Sequence, residues 1–229
     1  SMLDAEVTAK LDSNTSGTTT VNNPPAVGSL IAIPYGESAP AGYSLYQRGT
    51  PKNELVWEEK APVSVARNTF DGVAVLDDKI YFAGGSDGQG KDIAERYDPI
   101  NNNWETLVSM SVARKGMASA TLNGNFYAIA GKGLNSVEVY DPSSQSWSVG
   151  VPLPSETHYA RAITIGGKIY LIGGKNSSDQ NINQVICFDP SSNQWSSKAS
   201  MPTARDGMWL QWYNDRIWAI GGHSGEDID

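Results

Sequence analysis

Short apolar runs separated by polar turn residues recur along the chain between residues 57 and 222. Runs this short are typical of β-strands, because a helix needs a longer periodic stretch. Neighbouring runs are separated by Asp-Asp, Asn-Gly or Gly-Gly, which favour two-residue hairpin turns. The pattern therefore predicts three antiparallel strand pairs: Val73–Leu76 with Ile80–Ala83, Ala118–Leu122 with Phe126–Ala130, and Ala162–Ile165 with Ile169–Ile172.

The second run of each pair is apolar at successive positions rather than at alternate ones. A strand that is buried on both faces has this pattern, so we expect each sheet to lie between two similar sheets. Cys187 lies in another apolar run, from Val185 to Phe188. We expect it to be a buried hydrophobic side chain, and a single cysteine excludes an intrachain disulfide.

A second hairpin follows each of these strand pairs. Its marker is an aromatic residue, then Asp-Pro, then Trp seven residues after the aromatic. Asp and Pro suit the first two positions of a type I turn, and the constant spacing predicts a constant strand register. The triplets are Tyr97-Asp98-Pro99, Tyr140-Asp141-Pro142 and Phe188-Asp189-Pro190, and Trp occurs at 57, 104, 147 and 195.

These markers, together with a glycine pair after each buried strand, occur in the order and spacing of the kelch repeat, which the chain resembles from residue 57 to residue 222. The departures are Ala130 for a glycine, Phe188 for a tyrosine and Trp218 for a tyrosine. The resemblance implies an all-β, kelch-type β-propeller of four-stranded antiparallel blades around a central channel. The predicted repeats are 57–104, 105–147, 148–195 and an incomplete 196–229.

The strand count amounts to about four blades. It comprises an outer strand near Trp57, three complete blades and two strands ending at Gly222, and the segment Tyr43–Arg48 offers one more strand. Propellers have roughly four to eight blades. Three arrangements remain open: part of a longer propeller, which the count favours, a ring completed by association of chains, and a four-bladed ring closed by the N-terminal strands.

The first 56 residues differ in composition from the repeats. In the segment 1–26, Leu3–Leu11 fits a short helix and Ser13–Asn23 a flexible linker. Residues 27–49, within the segment 27–56, are similar to the collar motif of phage tail fibres and related bacterial fibre proteins, although they lack its Cys-Asp-Gly. That similarity implies a fibre-like, extracellular or virion-borne protein; the alternative is an entry strand to the first blade.

The net charge of the chain limits the classes of binding partner that we expect. The formal net charge is −8 and the 17 basic residues are scattered, so we expect no nucleic-acid partner. No apolar stretch is long enough to span a bilayer, and no secretory signal pattern is present at the N-terminus. The partners expected are a protein or a glycan, with further copies of the chain if the propeller is completed by association.

The candidate binding residues lie in the junctions between blades and in the loops after the glycine pairs. Arginine recurs at the junctions, where it is expected either to brace neighbouring carbonyls or to form a ring of donors at the channel mouth. The loops vary in length while the strands stay constant, as binding loops on a rigid scaffold do. The candidates are Arg67, Arg114, Arg161, Arg205, His158, His223, Asp87, Lys132, Lys175 and Asn176.

Catalytic and metal chemistry find little support in the sequence. His158 and His223 lie without nearby cysteines or clustered carboxylates, so neither a metal site nor a cofactor is expected. Copper-radical oxidases share the propeller but need a Tyr, His and Cys set that is missing here. The leading hypothesis is a non-enzymatic binding module. A sugar mutarotase, with acid-base groups lining the channel, and a structural assembly unit are the alternatives.

Overall fold

The structure is a computed structural model that describes residues 59–68 and 72–225. The chain divides into two units, 1–58 and 59–229, and all described residues belong to the second. The predicted helix, linker and collar-like segment, and the predicted strand near Trp57, lie outside the described residues.

The described residues form antiparallel sheets whose strands are neighbours in sequence, which confirms the all-β prediction. Three sheets have four strands and one has two, and we number them blades 1 to 4 in chain order. Blade 1 comprises β1 (Val73–Leu76), β2 (Lys79–Ala83), β3 (Ala94–Asp98) and β4 (Asn103–Thr106), and blade 2 comprises β5 (Ala118–Leu122), β6 (Asn125–Gly131), β7 (Leu134–Asp141) and β8 (Ser146–Val149). Blade 3 comprises β9 (Arg161–Ile165), β10 (Lys168–Ile172), β11 (Val185–Asp189) and β12 (Gln194–Ser197), and blade 4 comprises β13 (Trp209–Tyr213) and β14 (Arg216–Ile220).

The first hairpins of blades 1 to 3 turn as the sequence predicts. Leu76 pairs with Lys79, so only Asp77 and Asp78 form the loop, and both have positive φ angles of 49° and 57°. Two consecutive positive φ angles define the type I′ turn that matches strand twist. The same geometry recurs at Asn123-Gly124, Gly166-Gly167 and Asn214-Asp215.

The aspartate side chain of the Asp-Pro hairpin accepts hydrogen bonds from backbone amides of the same turn. In blade 1, Asp98 Oδ1 accepts a hydrogen bond of 2.9 Å from the amide of Ile100, which stabilises the turn. Trp104 then lies opposite Tyr97, and its Nε1 donates to the carbonyl of Ala61 at 2.8 Å. Equivalent bonds join Trp147 to Val108 and Trp195 to Val151. Each outer strand is thereby fastened to the segment that leads into its own blade.

Each blade packs face to face on the next. Ile129 and Val137 of blade 2 pack against Ile169, Leu171 and Ile186 of blade 3, and all five are almost fully buried. The second strands of blades 2 and 3, β6 and β10, have buried residues on both faces, as predicted, because each lies between two neighbouring sheets. Cys187 is buried within blade 3, which confirms the expectation of a buried hydrophobic side chain.

Blade 4 has two unlike faces. Leu210, Ile217 and Ala219 pack toward Ile172 and Met208 at the junction with blade 3. The opposite face exposes large aromatic and aliphatic side chains: Trp209 (68%), Tyr213 (68%), Trp218 (49%) and Ile220 (56%). In blades 1 to 3 the equivalent face is covered by the following blade.

Candidate binding site

The backbone fixes which junction residues are equivalent. In every blade the residue after the glycine pair is hydrogen-bonded to a residue that precedes the first strand, in the pairs Asn68–Ser86, Lys115–Lys132, His158–Lys175 and Asp206–His223. The glycine pairs permit this close approach: a Cβ on Gly174 would lie 2.6 Å from the carbonyl oxygen of His158. The residues just before these partners are therefore Arg67, Arg114, Thr157 and Arg205.

Arg161 does not belong to this set, which corrects the predicted fourfold arginine register. It is the first residue of β9 and pairs with Ile172, as Ala118 pairs with Ile129 in blade 2. Its Nε donates to the carbonyl of Met208 at 2.9 Å, so it joins blade 3 to the segment leading into blade 4. Arg161 follows Arg114 by the same 47 residues that separate Arg67 from Arg114, and this equal spacing conceals the difference.

Arg114 is enclosed in blade 2. Its side chain is fully buried and donates to the carbonyl oxygens of Ala130 (2.7 Å) and Ser136 (2.9 Å) and to Glu138 Oε1 (3.0 Å). Burial alone would raise the pKa of Glu138, but hydrogen bonds from Ser111 and Arg114 outweigh burial and hold that pKa below its usual range. Arg114 braces the blade and is not accessible to a ligand.

Arg67 repeats this arrangement in blade 1. A guanidinium nitrogen lies 2.7 Å from Glu95 Oε2, both side chains are fully buried, and the guanidinium stacks 3.9 Å from the centre of the Phe82 ring. Glu95 and Glu138 occupy the same position in the third strand, opposite Phe82 and Ala128 respectively. The sequence Ser-Val-Ala-Arg, at 64–67 and 111–114, therefore goes with a glutamate in the third strand of the same blade.

Blade 3 replaces both members of this pair. Thr157 stands at the arginine position, and Ile186, opposite Leu171 in β11, stands at the glutamate position. Both are buried, with 4% and 3% of their surfaces exposed. The two positions therefore differ together within one chain. Blades 1 and 2 have an arginine and a glutamate there, and blade 3 has a threonine and an isoleucine.

Arg205 makes one of the contacts that Arg114 makes, the hydrogen bond to the backbone carbonyl that follows the second strand. Its Nη1 donates to the carbonyl of Gly221 at 3.0 Å, the bond that Arg114 makes with Ala130. The other partners of Arg114 belong to a third strand, and the described part of blade 4 ends before one. Arg205 is partly exposed.

The loop ends of blades 2 and 3 meet through Asp179. Its Oδ1 lies 2.8 Å from Nε2 of the buried His158, and both carboxylate oxygens accept from Lys132 Nζ at 3.0 and 2.9 Å. The bond from Lys132, and then that from His158, lowers the pKa of Asp179. Lys132 and Asp179 remain about half exposed, so the pair presents both charges at the surface.

A second set of charges joins blades 3 and 4. Lys175 Nζ lies 4.0 Å from Asp206 Oδ2, and His223 Nδ1 lies 3.6 Å from Asp206 Oδ1. Asn181 donates from its amide to the carbonyl of His223 at 2.7 Å. Because Lys175 is bridged to both His158 and Asn181, the two sets form one continuous polar cluster. We call it the loop-end cluster: Lys132, His158, Lys175, Asp179, Asn181, Asp206 and His223.

Three buried atoms in the loop-end cluster have no hydrogen-bond partner among the described residues. They are His158 Nδ1, Asn181 Oδ1 and Asp206 Oδ1. A buried polar atom without a protein partner is costly, so water or a ligand usually satisfies it. Buried atoms of Arg67, Glu95 and Arg114 share this property outside the cluster. The cluster thus combines exposed charges with unsatisfied hydrogen-bonding groups.

The remaining predicted residues lie near this cluster or apart from it. Asn176 holds the Lys175–Gln184 loop in shape, because its Oδ1 accepts from the amides of Ser178 and Gln180, both at 3.0 Å. Asp87 lies in the blade 1 loop, where it pairs with Lys91 at 2.6 Å. The structure brings together Lys132, His158, Lys175 and His223; Asp87 and the buried Arg67 and Arg114 stand outside the cluster.

Sequence reasoning missed Asp179, Asn181 and Asp206. A signal for Asp206 was available, because it follows Arg205 as Asn68 follows Arg67. Asp179 and Asn181 offered none, since their loop has no counterpart of equal length in the other blades. Their positions depend on which loops face each other across a blade junction.

Metal binding, cavities and membrane spans can be assessed for the described residues. In the described part of the chain, no group of three or more His, Cys, Asp or Glu side chains could hold a metal ion. A small cavity lined by Tyr81, Ala94 and Phe126 lies between blades 1 and 2, away from the loop-end cluster, and is too narrow to admit water. Within residues 59–68 and 72–225, no helix has the length and apolarity needed to cross a membrane.

Comparison with known proteins places these blades in a family. A family model described as the kelch motif matches residues 72–111, 113–154 and 156–202, more than half of the chain. The chain belongs to the kelch-repeat family. The kelch fold predicted from the glycine pairs and the Tyr-Asp-Pro and Trp positions is confirmed.

Curated relatives match this chain over part of their length. Alpha-scruin of Limulus polyphemus is 35% identical over 77 residues, 33% of this chain and 8% of that protein. The F-box/kelch-repeat protein SKIP11 of Arabidopsis thaliana is 36% identical over 108 residues, 46% of this chain and 22% of that protein. The human kelch repeat and BTB domain-containing protein 13 is 34% identical over 85 residues, 35% of this chain and 19% of that protein. The chain therefore spans less than a quarter of each of these relatives.

Among solved structures, that of YjhT superposes with a TM-score of 0.63 and 21% sequence identity. The superposition covers 72% of this chain and 60% of YjhT. At this identity the likeness concerns the fold, and the fold is the kelch β-propeller that the sequence predicts.

Proposed function

We propose that this kelch chain is a non-enzymatic binding module that binds a protein or a glycan through the loop-end cluster. The observation that carries the proposal is the continuous set of polar side chains from three blades, with three buried atoms that have no partner. Unsatisfied donors and acceptors beside exposed charges favour a ligand that has its own hydrogen-bonding groups.

The scaffold supports this role. The strands and turns repeat almost without change, whereas the loops that carry Lys132, Asp179 and His223 differ in length and residues. Rigid sheets thus hold variable side chains at fixed positions, an arrangement typical of binding surfaces. Relatives that share these repeats are named for kelch repeats combined with F-box or BTB domains, so the repeats occur as modules within larger proteins.

A binding screen with loop variants tests the proposal. The full chain is applied to glycan and peptide arrays, and each hit is titrated against Lys132→Ala and His223→Ala, whose side chains are 45% and 63% exposed. We expect each variant to weaken binding about tenfold or more, the effect of losing a charged hydrogen bond. Lys168→Ala is the matched control, because Lys168 pairs with Asp189 at the opposite end of its strand.

The outcome of this screen decides the proposal. Equal affinity of all three variants, or arrays without a specific hit, would contradict a binding role for the loop-end cluster. Equal weakening by Lys168→Ala would show a general charge effect rather than a site.

A sugar mutarotase is the second candidate. The observation in its favour is the contact between His223 and Asp206, because a His–carboxylate pair can exchange protons with a sugar hydroxyl. NMR exchange spectroscopy of reducing sugars with the full chain measures anomerisation directly. Catalysed exchange that His223→Ala abolishes and Lys168→Ala preserves would replace the binding module by an enzyme.

A further inference from the structure

In blades 2 to 4, the junction before the first strand contains a residue with a positive φ angle. In blades 2 and 4 this residue is a glycine, Gly116 (φ 61°) and Gly207 (φ 63°), and in blade 3 it is Tyr159 (φ 55°). The three positions are equivalent, because each residue directly follows the junction residue that is hydrogen-bonded to the loop after the glycine pair. A tyrosine therefore adopts a backbone conformation for which the neighbouring blades use glycine.

Backbone hydrogen bonds to both neighbouring blades hold Tyr159 in this conformation. Its amide donates to the carbonyl of Gly116 at 2.7 Å, and its carbonyl accepts from the amide of Gly207 at 3.0 Å. A positive φ angle is strained for a bulky side chain and unstrained for glycine. The other described non-glycine residues with positive φ are Asp, Asn, Gln or Ala. Strain of this kind persists mainly where a residue contacts a ligand, so Tyr159 is a candidate for such a contact.

The ring of Tyr159 lies on Gly116, beside the loop-end cluster. A Cβ on Gly116 would lie 2.7 Å from Cε1 of the ring, so the ring needs a glycine at that position. Lys132 donates from its amide to the carbonyl of the residue before Gly116, at 2.9 Å. His158 makes an edge contact with the ring, with 5.1 Å between the ring centres. The half-buried tyrosine is thereby placed next to both residues whose side chains Asp179 contacts.

The exposed polar groups beside the ring are a cation and an anion in direct contact. Lys132 Nζ and the Asp179 carboxylate lie 2.9 Å apart, and the two side chains are 45% and 55% exposed. An ammonium group only donates hydrogen bonds, and an ionised carboxylate only accepts them. Two adjacent hydroxyl groups match this pair, because one can accept from Lys132 while the other donates to Asp179. A charged group on the ligand would instead meet a like charge.

We propose that the loop-end cluster binds an uncharged saccharide, whose ring packs on Tyr159 and whose adjacent hydroxyl groups bond to Lys132 and Asp179. A sugar ring offers a face of C–H groups to an aromatic side chain and hydroxyl groups at its rim. Two observations select this ligand: the strained aromatic residue in a glycine position and the charge pair beside it. The inference rests on the proposed binding function and narrows the ligand from a protein or a glycan to a neutral glycan.

Titration of a saccharide against Tyr159 variants tests the inference. The full chain is applied to glycan and peptide arrays, and the sugar of each glycan hit is prepared as its methyl glycoside, which cannot anomerise, so that binding is measured without turnover. The variants are Tyr159→Gly, which copies blades 2 and 4, and Tyr159→Phe, which keeps the ring. Tyr213→Ala is the matched control, because Tyr213 is 68% exposed and lies at the end of β13 away from the junction.

We expect Tyr159→Gly to weaken binding of the methyl glycoside about tenfold or more, because it loses the aromatic contact. Tyr159→Phe and Tyr213→Ala should bind as the parent chain does. Saturation-transfer NMR should show magnetisation passing from aromatic protons to the C–H protons of the sugar in the parent chain and not in Tyr159→Gly. The urea midpoint of Tyr159→Gly should not fall, because relief of the strained φ angle offsets the lost packing.

The failure of this inference can be told apart from the failure of the proposed function. Hits confined to peptides, and weakened by Lys132→Ala, would overturn the saccharide and leave the binding module in place, whereas arrays without any specific hit would contradict both. A glycan that binds Tyr159→Gly as tightly as the parent chain would remove the tyrosine from the site.

Two further results would also overturn the inference. A preference for carboxylated over neutral saccharides would contradict the match between hydroxyl groups and the charge pair. A Tyr159→Gly chain that unfolds at a much lower urea concentration would show that the fold itself requires the tyrosine.

Discussion

Blades 2 and 3 fill two equivalent buried positions with different side chains, a charged pair in blade 2 and an uncharged pair in blade 3. In blade 2 the position before the first strand is Arg114, which is buried against Glu138. In blade 3 the same two positions hold Thr157 and Ile186, which are equally buried. The second and third strands pair in the same register from Phe126 to Ile129 in blade 2 and from Ile169 to Ile172 in blade 3. The ion pair is therefore one of two ways to fill the junction and is not a requirement of the blade.

The difference shows why the two positions must change together. A buried ion pair offsets the desolvation of both groups, but either group alone is an uncompensated charge. A threonine and an isoleucine avoid this cost, because they bury no charge. Intermediate combinations, with one charged and one neutral member, are the unfavourable ones.

The largest effect is expected from breaking the pair in blade 2. Glu138→Ala leaves Arg114 charged and buried, so the free energy of unfolding should fall by about 3–5 kcal/mol. The double variant Arg114→Thr/Glu138→Ile, which copies blade 3, should recover most of that loss. Urea unfolding of the parent chain and both variants measures this. A double variant as unstable as Glu138→Ala would show that blade 3 depends on other compensating residues.

A smaller effect is expected from pH. Because the folded-state pKa of Glu138 is lowered, its contribution to stability is present above its unfolded pKa and is lost as pH falls through the folded value. The parent chain should therefore lose more stability below about pH 4.5 than Arg114→Thr/Glu138→Ile does. Urea midpoints measured between pH 7 and pH 3 test this. Parallel pH profiles would mean that the pair does not contribute to acid sensitivity.

The smallest effect concerns a contact between blades 2 and 3 that does not depend on their charges. Thr164 donates from Oγ1 to the carbonyl of Thr121 at 2.7 Å. Thr164→Val keeps the shape and removes the donor, so a loss of about 1 kcal/mol is expected. Thr164→Ser, which keeps the hydroxyl, is the control. If both variants unfold at the same urea concentration, the hydrogen bond contributes nothing measurable.

The features of the fold that the sequence predicts are those determined by residues close together in the chain. The turns at Asp77-Asp78 and Asn123-Gly124 and the Asp-Pro hairpins depend on residues adjacent in the chain, so their types and registers could be predicted. The arginine register could not, since it depends on where each first strand begins. Arg161 has the expected spacing but lies inside β9.

The candidate site is predictable only in part for a related reason. Lys132, His158, Lys175 and His223 follow from their places beside the glycine pairs or the first strands. Asp179 and Asp206 contact Lys132 and Lys175 of the preceding blades, so the cluster forms only when neighbouring blades bring these segments together. Contacts between blades depend on packing that no single repeat specifies.

The hydrogen bond from each outer tryptophan has a consequence for how such a chain can grow. Trp147 and its acceptor Val108 both lie in the predicted repeat 105–147, and Trp195 and Val151 both lie in the predicted repeat 148–195. Arg114 and Glu138 also lie in one repeat. A tandem duplication or deletion of a whole repeat therefore copies or removes both partners of each contact at once. Such an event keeps these particular pairs intact, so a change such as that from Arg and Glu to Thr and Ile can spread as a unit, whereas contacts between blades, such as that of Lys132 with Asp179, are broken or must form anew.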